Sequence, residues 1–230
     1  MDKILILIPA REGSKGIPNK NMKKFNGKPL IEWTIKTALE SKLANRIVVS
    51  SDSKKILNLS KKFNISLLKR PKSLSGDKST TESVVKHCLK SYNNSYKTIV
   101  LLPPTSPVRK KNILDEAIKF FNLKKLDSCF SGSKLSDFLI WEYNKKNKKY
   151  RSLNYDFKKR GNRQSRKSTY LENGSIYIFK SKILLKNNNR IGGKFDIFKM
   201  NILESFELDE KEDWKIIETI HKNYILKNSK

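Results

Sequence analysis

Apolar residues in this chain fall into short blocks separated by polar turns, and the blocks alternate between two periods. Residues 4–8 (Ile-Leu-Ile-Leu-Ile) form an unbroken apolar run, as expected of a strand covered on both faces. Asn26-Gly27 marks a turn, and Pro29 opens a helix to about residue 41 with Leu30, Trp33, Thr34, Ile35 and Ala38 toward its inner side. A second strand is predicted over 47–50, after which Ser51-Asp52-Ser53 caps a helix reaching about residue 63, with Ile56, Leu57 and Leu59 facing the core. Ser79-Thr80-Thr81-Glu82 has capping-box spacing ahead of Val84, Val85, Cys88, Leu89 and Tyr92, which share one helical stripe. A strand over 98–102, a helix over 112–123 and a strand over 128–131 follow. From about residue 144 to 168 the pattern loosens into a stretch rich in Lys, Arg and Asn, then resumes as strands over 175–179 and 196–200 and an amphipathic helix from 210 to about 226. The alternation predicts an α/β fold with a mostly parallel, doubly wound sheet. The chain of 230 residues suits one such domain over 1–230.

Composition alters this picture in two places. The formal charge of +28 raises nucleic acid or an anionic surface as a partner. Yet only nine of the 50 basic residues are arginine, and the 41 lysines are scattered over the whole length with abundant Asn and Ile, which reads as compositional bias rather than a binding stripe. No nucleic-acid partner is expected. Where arginine survives, its planar fork is informative, and Arg11, Arg70, Arg109 and Arg163 all lie in segments with other chemical features. Cys88 and Cys129 sit far apart inside apolar patterns, which gives no support to a disulfide or zinc site. The apolar opening is too short to span a bilayer and carries no cleavage site, so a cytosolic protein with no membrane partner is expected.

The first strand runs into Pro9-Ala10-Arg11-Glu12-Gly13-Ser14-Lys15-Gly16-Ile17-Pro18-Asn19-Lys20-Asn21. Glycines 13 and 16 let backbone N–H groups approach phosphate oxygens, and Arg11, Lys15 and Lys20 supply neutralising charge. The loop is neither a Walker A sequence nor a dinucleotide fingerprint. Leu101-Leu102-Pro103-Pro104-Thr105-Ser106-Pro107-Val108-Arg109 leaves a strand with three prolines, a rigid shelf at the carboxyl end of the sheet where open α/β folds bind ligands. In Glu207-Leu208-Asp209 the two carboxylates alternate as metal ligands on an extended segment would, although Asp209 and Glu212 also have the spacing of a helix cap. His87 and His221 lack ligand spacing and read as helix-surface residues.

The opening loop resembles the signature of the CMP-sugar synthetases, in particular the acylneuraminate cytidylyltransferases. The shelf resembles their Leu-Leu-Gln-Pro-Thr-Ser-Pro-Leu-Arg motif, with Pro103 in place of the glutamine. Arg70-Pro71 and Asp77-Lys78-Ser79-Thr80-Thr81 resemble elements near the cytidine. Arg163-Gln164 with Asn173-Gly174-Ser175-Ile176-Tyr177 resembles the elements facing the acidic sugar, and Glu207-Leu208-Asp209 resembles Asp-x-Asp at the metal. The matches keep their order over residues 4–213. The resemblance implies a Rossmann-like nucleotidyltransferase that joins CMP from CTP to a nonulosonic acid with Mg2+. It assigns Arg11, Lys20 and Asp209 to catalysis and Ala10, Arg11, Gly13, Ser14, Lys15, Asn21, Arg70 and Ser79 to CTP. Thr105, Ser106, Arg163, Gln164, Asn173 and Tyr177 fall to the sugar, and Asp209 and Glu207 to the metal. It further implies a homodimer built through an arm over 138–172. Legionaminic, pseudaminic and 3-deoxy-octulosonic acids are alternative acceptors, the last disfavoured by Gly16-Ile17-Pro18-Asn19-Lys20 and Pro104-Thr105-Ser106.

Overall fold

The computed structural model describes residues 2–14, 16–135, 138–162, 164 and 168–227. In chain order the elements are β1 (Ile4–Pro9), β2 (Lys24–Phe25), β3 (Lys28–Pro29), α1 (Leu30–Leu39), β4 (Arg46–Ser51), α2 (Lys54–Lys61), β5 (Ser66–Lys69), α3 (Thr81–Ser91), β6 (Thr98–Leu101) and α4 (Ile113–Leu123). They continue with β7 (Ser128–Leu135), β8 (Trp141–Asn144), β9 (Lys149–Ser152), β10 (Thr169–Lys180), α5 (Ser181–Asn187), β11 (Phe195–Lys199) and α6 (Lys211–Ile220), which runs on as a π-helical segment, His221–Leu226.

Seven strands form one sheet in the order β11-β7-β10-β6-β1-β4-β5. All neighbours are parallel except β10, which runs antiparallel to both β6 and β7. The predicted α/β sheet is therefore present, with one reversed strand that hydrophobic period cannot reveal. Side chains of β1 alternate between two cores: Ile4, Ile6 and Ile8 pack with α1, α2 and α4, while Leu5 and Leu7 pack with α3 and α5. Both faces are covered, which explains the unbroken apolar run. Asn26 and Gly27 both take positive φ, 45° and 81°, and join β2 to β3, the hairpin turn expected of Asn-Gly.

Several expectations need correction. The edge strand β5 and the short α5 lie where no element was predicted, and the hairpin of β8 and β9 straddles the start of the polar stretch. The cap of α3 is Thr80, whose Oγ1 accepts from Ser83 N–H at 3.2 Å, one residue past the expected start of the box. Asp52 does not cap α2; its Oδ1 accepts the Glu12 N–H at 3.0 Å and ties the first loop to β4. His221 is buried rather than on the surface. Its ring packs against Trp33 and Phe25 with centroids 4.5 and 5.1 Å away, its Nδ1 accepts from the Asn26 amide, and burial pushes its pKa down to about 4. His87 is half-buried. Cys88 and Cys129 are free, buried thiols, as the spacing suggested.

A third core closes the carboxyl end of the sheet: Ile17 from the first loop, Phe25, Leu30, Val108 from the shelf, Leu208, Trp214 and Ile217. Leu208 is wholly buried there. Its N–H donates to Thr105 O at 2.8 Å, and its carbonyl accepts from Lys20 Nζ. Leu208→Ala is expected to cost about 2–5 kcal/mol of stability by removing a packed side chain from a site ringed by three segments. Urea unfolding measures this, and a loss under about 1 kcal/mol would show that the segment is not pinned there.

Candidate active site

The carboxyl ends of β1, β5 and β6 open into a cavity of about 500 Å³. The first loop contributes Arg11, Ser14, Gly16, Lys20 and Asn21; the segment after β5 contributes Arg70, Gly76, Asp77 and Ser79, and the start of α3 adds Thr80 and Thr81. Pro103, Pro104 and Thr105 of the shelf and Asp209 with Glu210 complete the wall. Segments far apart in sequence meet here because each leaves a strand of the same sheet at the same end.

Within this wall the loop is held from several sides. The Asn21 amide donates to Arg11 O at 2.9 Å, and Ser53 Oγ donates to Glu12 Oε1 at 3.1 Å. Arg11 Nη1 reaches across the mouth to Asp77 Oδ1 at 3.0 Å. Lys20 is buried, with Nζ 3.3 Å from Asp209 Oδ1. Arg70 is also buried; one Nη donates to Ser50 O at 3.3 Å, while Nε has no hydrogen-bond partner among the described residues. Desolvation lowers the Arg70 pKa, opposed by the Asp52 carboxylate.

The carboxylates are set by two glycines. A Cβ at Gly16 would overlap the carbonyl of Asp209, so only glycine lets the first loop lie against that backbone. A Cβ at Gly174 would occupy the place of the Glu207 carboxylate, and Gly174 has φ of +60° besides. Asn173-Gly174 thus acts as more than a turn: its missing side chain is the seat of Glu207. That carboxyl is pushed up to about 7, first by burial and then by Asp209, with Arg109 and Lys20 opposing. Asp209 itself is exposed, and its carboxylate does not cap α6. The cap is Glu210 with Asp213, whose Oδ2 accepts the N–H of Asp209 and Glu210 at 2.9 and 2.7 Å. The helix-cap interpretation of Asp209 is therefore corrected by one residue. No group of three or more His, Cys, Asp or Glu is poised for a metal among the described residues. Glu207, disfavoured in its charged form by burial and by the Asp209 carboxylate, would with Asp209 offer the hard oxygen donors that suit Mg2+.

Arg109 lies fully inside the protein behind the shelf. It donates to Ser175 Oγ and O at 3.0 and 2.7 Å, to Pro103 O at 2.8 Å and to Thr34 Oγ1 at 3.3 Å, and burial lowers its pKa to about 9. It welds the shelf to β10, a role only the five-donor fork can fill.

Of the residues marked from sequence, Arg11, Ser14, Lys20, Asn21, Arg70, Ser79, Thr105 and Asp209 come together in the cavity wall. Ala10 does not: its side chain is in the sheet core and its N–H donates to Ser50 O. Gly13 is exposed and outside the wall. The Ser106 hydroxyl is buried without a partner among the described residues. The Asn173 amide is used internally, with Ser131, Ser175 and Ser205. Tyr177 is a buried core aromatic whose hydroxyl donates to Glu172 Oε1 at 2.6 Å. Gln164 is exposed, and Lys15 and Arg163 lie outside the described residues. Sequence reasoning passed over Glu210 as a wall residue; it directly follows Asp209, which was marked.

Because the folded state holds Glu207 above its ordinary value, it binds a proton that the unfolded chain releases. The stability this contributes is present at about pH 4 and is lost as pH rises through about 7. In metal-free buffer, the wild type is expected to lose stability relative to Glu207→Gln between about pH 5 and pH 8. Parallel urea titrations test this, and identical pH profiles for the two proteins would contradict the burial assigned to the carboxyl.

The chain matches the family described as Cytidylyltransferase over residues 5–230. It is 29% identical over 225 residues to an N-acylneuraminate cytidylyltransferase of Escherichia coli, covering 95% of this chain and 52% of that protein, so it spans about half the length of that relative. It is 31% identical over 231 residues to the post-translational flagellin modification protein B of Campylobacter coli, covering 96% of each. The solved CMP:2-keto-3-deoxy-manno-octonic acid synthetase complexed with CTP shares the fold, with a TM-score of 0.71 at 12% identity over 97% of this chain and 100% of the other. By its sheet, the loop that follows β1 and a match running almost from end to end, this chain belongs to the cytidylyltransferase family.

Proposed function

We propose that the protein transfers CMP from CTP to the anomeric hydroxyl of a sialic-acid-type nonulosonic acid and releases pyrophosphate. The observation that carries this reading is the junction of Lys20 with Asp209 inside one cavity: a cation-rich loop and a carboxylate segment from opposite ends of the chain line the same 500 Å³. Arg11 and Lys20 bind the β- and γ-phosphates. Asn21, Arg70 and Ser79 surround the nucleoside. Glu207 and Asp209 would hold the Mg2+, which when bound neutralises charge on the phosphate under attack. The rigid shelf and the Arg109 weld behind it orient the acceptor for in-line displacement, so that the new sugar O–P bond forms as the bond to the pyrophosphate oxygen breaks. The name of the Escherichia coli relative supports the acceptor class.

Release of pyrophosphate from CTP, Mg2+ and a panel of ulosonic acids tests the reading. Asp209→Asn is expected to lose about a hundredfold or more in kcat with its fold retained. Silence of the wild type across the panel would reject the transfer.

The arm over 138–172 is read as the dimer contact. Its hairpin of β8 and β9 is a separate two-stranded sheet, with Trp141, Tyr143 and Tyr150 exposed at 41%, 46% and 69%. An isolated hairpin is marginal in water, and an uncovered aromatic face of this kind calls for a partner surface. Light scattering on the full chain is expected to give twice the protomer mass of 26.8 kDa, shifting toward the protomer on joint Trp141→Ser and Tyr150→Ser substitution. A wild-type mass of one protomer would dismiss the dimer.

A further inference from the structure

Two walls of the cavity meet at one ion pair. Arg11 belongs to the loop after β1 and Asp77 to the segment between β5 and α3, 66 residues apart, and both line the cavity. Arg11 Nη1 lies 3.0 Å from Asp77 Oδ1, with side-chain exposures of 35% and 54%. The segment that carries Asp77 is shaped by its own bonds. Arg70 N–H donates to Ser51 O at 2.8 Å where the segment begins, and the Thr80 cap of α3 fixes its end. Between them the N–H groups of Leu74 and Ser75 donate to Pro71 O and Lys72 O, and Ser79 donates from N–H to Gly76 O and from Oγ to Ser73 O. A turn closed on itself thus holds Asp77 at the cavity mouth.

An ion pair this exposed adds little to stability, so its position is what distinguishes it. Arg11 belongs to the loop whose glycines and charges suit a polyphosphate, and a guanidinium meets a carboxylate with the same forked geometry that it offers a phosphate. Two ligands therefore compete for one fork: Asp77 from inside the protein and the terminal phosphates of a nucleotide from outside. The polyphosphate carries several negative charges against the one on Asp77, so it prevails when present, and Asp77 regains Arg11 when it departs. Asp209 is differently placed, because its partner Lys20 is buried and the neighbouring Leu208 is pinned to the shelf.

We infer that Asp77 is a stand-in for phosphate: it holds Arg11 in the empty site, yields it to the β- and γ-phosphates of the incoming nucleotide and takes it back as pyrophosphate leaves. It thereby lowers affinity for polyphosphates and not for a nucleoside monophosphate, which has no phosphate at Arg11. The inference rests on Arg11 as a phosphate ligand in the reading above and does not depend on which acid accepts CMP.

Titration calorimetry of the full chain with Mg2+ and, in separate runs, CTP, pyrophosphate and CMP tests it. Asp77→Asn is expected to bind CTP and pyrophosphate about two- to fivefold more tightly than the wild type, and CMP equally. Asp77→Ser, which also removes the charge, is expected to give the same gain, so the result does not hang on one variant. In an Arg11→Gln background the gain is expected to disappear, because the double-mutant cycle isolates the pair. Unchanged or weaker binding of CTP and pyrophosphate, an equal gain for CMP, or a gain that persists without Arg11 overturns the proposal. The readout needs no turnover, so a chain that binds CTP as expected and transfers CMP to no acid refutes the acceptor reading alone. A wild type that binds neither CTP nor pyrophosphate overturns the nucleotide reading and this inference together.

Discussion

The site depends on the burial of Leu208. One apolar side chain enters a core built from the first loop, the shelf and α6, while its backbone bonds to Thr105 and Lys20. In an extended segment the flanking residues point away from such an anchor, so sealing Leu208 turns Asp209 into the cavity wall and Glu207 onto Gly174. The hydrophobic effect is non-directional, yet combined with strand alternation it places two charges. Without that anchor, nothing local in a segment so near the chain's end would hold carboxylates against the opening loop.

Around the anchor the charges are arranged in tension. Glu207 sits in a pocket that disfavours its ionised form, Asp209 adds like charge, and Arg109 and Lys20 partly offset both. Arg109 bears the heavier burial and is satisfied by four oxygens rather than by an ion pair. Such an arrangement is poor for stability and well suited to receiving a cation and a polyphosphate, whose charges complement those in place. Arg11 with Asp77 and Lys20 with Asp209 are the same principle at the mouth: ion pairs at 3.0 and 3.3 Å with exposed carboxylates, weak enough to be exchanged for ligand.

Reversal of β10 contributes the remaining geometry. An antiparallel strand between β6 and β7 carries its residues back past the shelf, with an irregular register between Glu172 and Tyr177. In that irregular stretch Asn173 is buried among serines and Gly174 leaves room for Glu207. Tyr177 and Glu172, five residues apart, come within hydrogen-bond distance. The asparagine that looked like a ligand contact is thus a brace, and the glycine beside it is the functional vacancy.

Sequence by itself determined the alternating architecture, because a strand covered on both faces must read as a continuous apolar run and an amphipathic helix must repeat near 3.6 residues. It also marked the segments that meet at one end of the sheet: the glycine and lysine loop, the proline shelf and the Glu207-Leu208-Asp209 cluster. The parts illegible in sequence are those fixed by partners distant along the chain. Pairing direction reversed β10, ring packing buried His221, and close backbone approach dictated Gly16 and Gly174. A cap displaced by one residue left the Asp209 carboxylate to pair with Lys20. Local periodicity records burial, which each residue experiences individually; mutual orientation depends on contacts that exist only after the chain has closed on itself, and tertiary structure alone decided those.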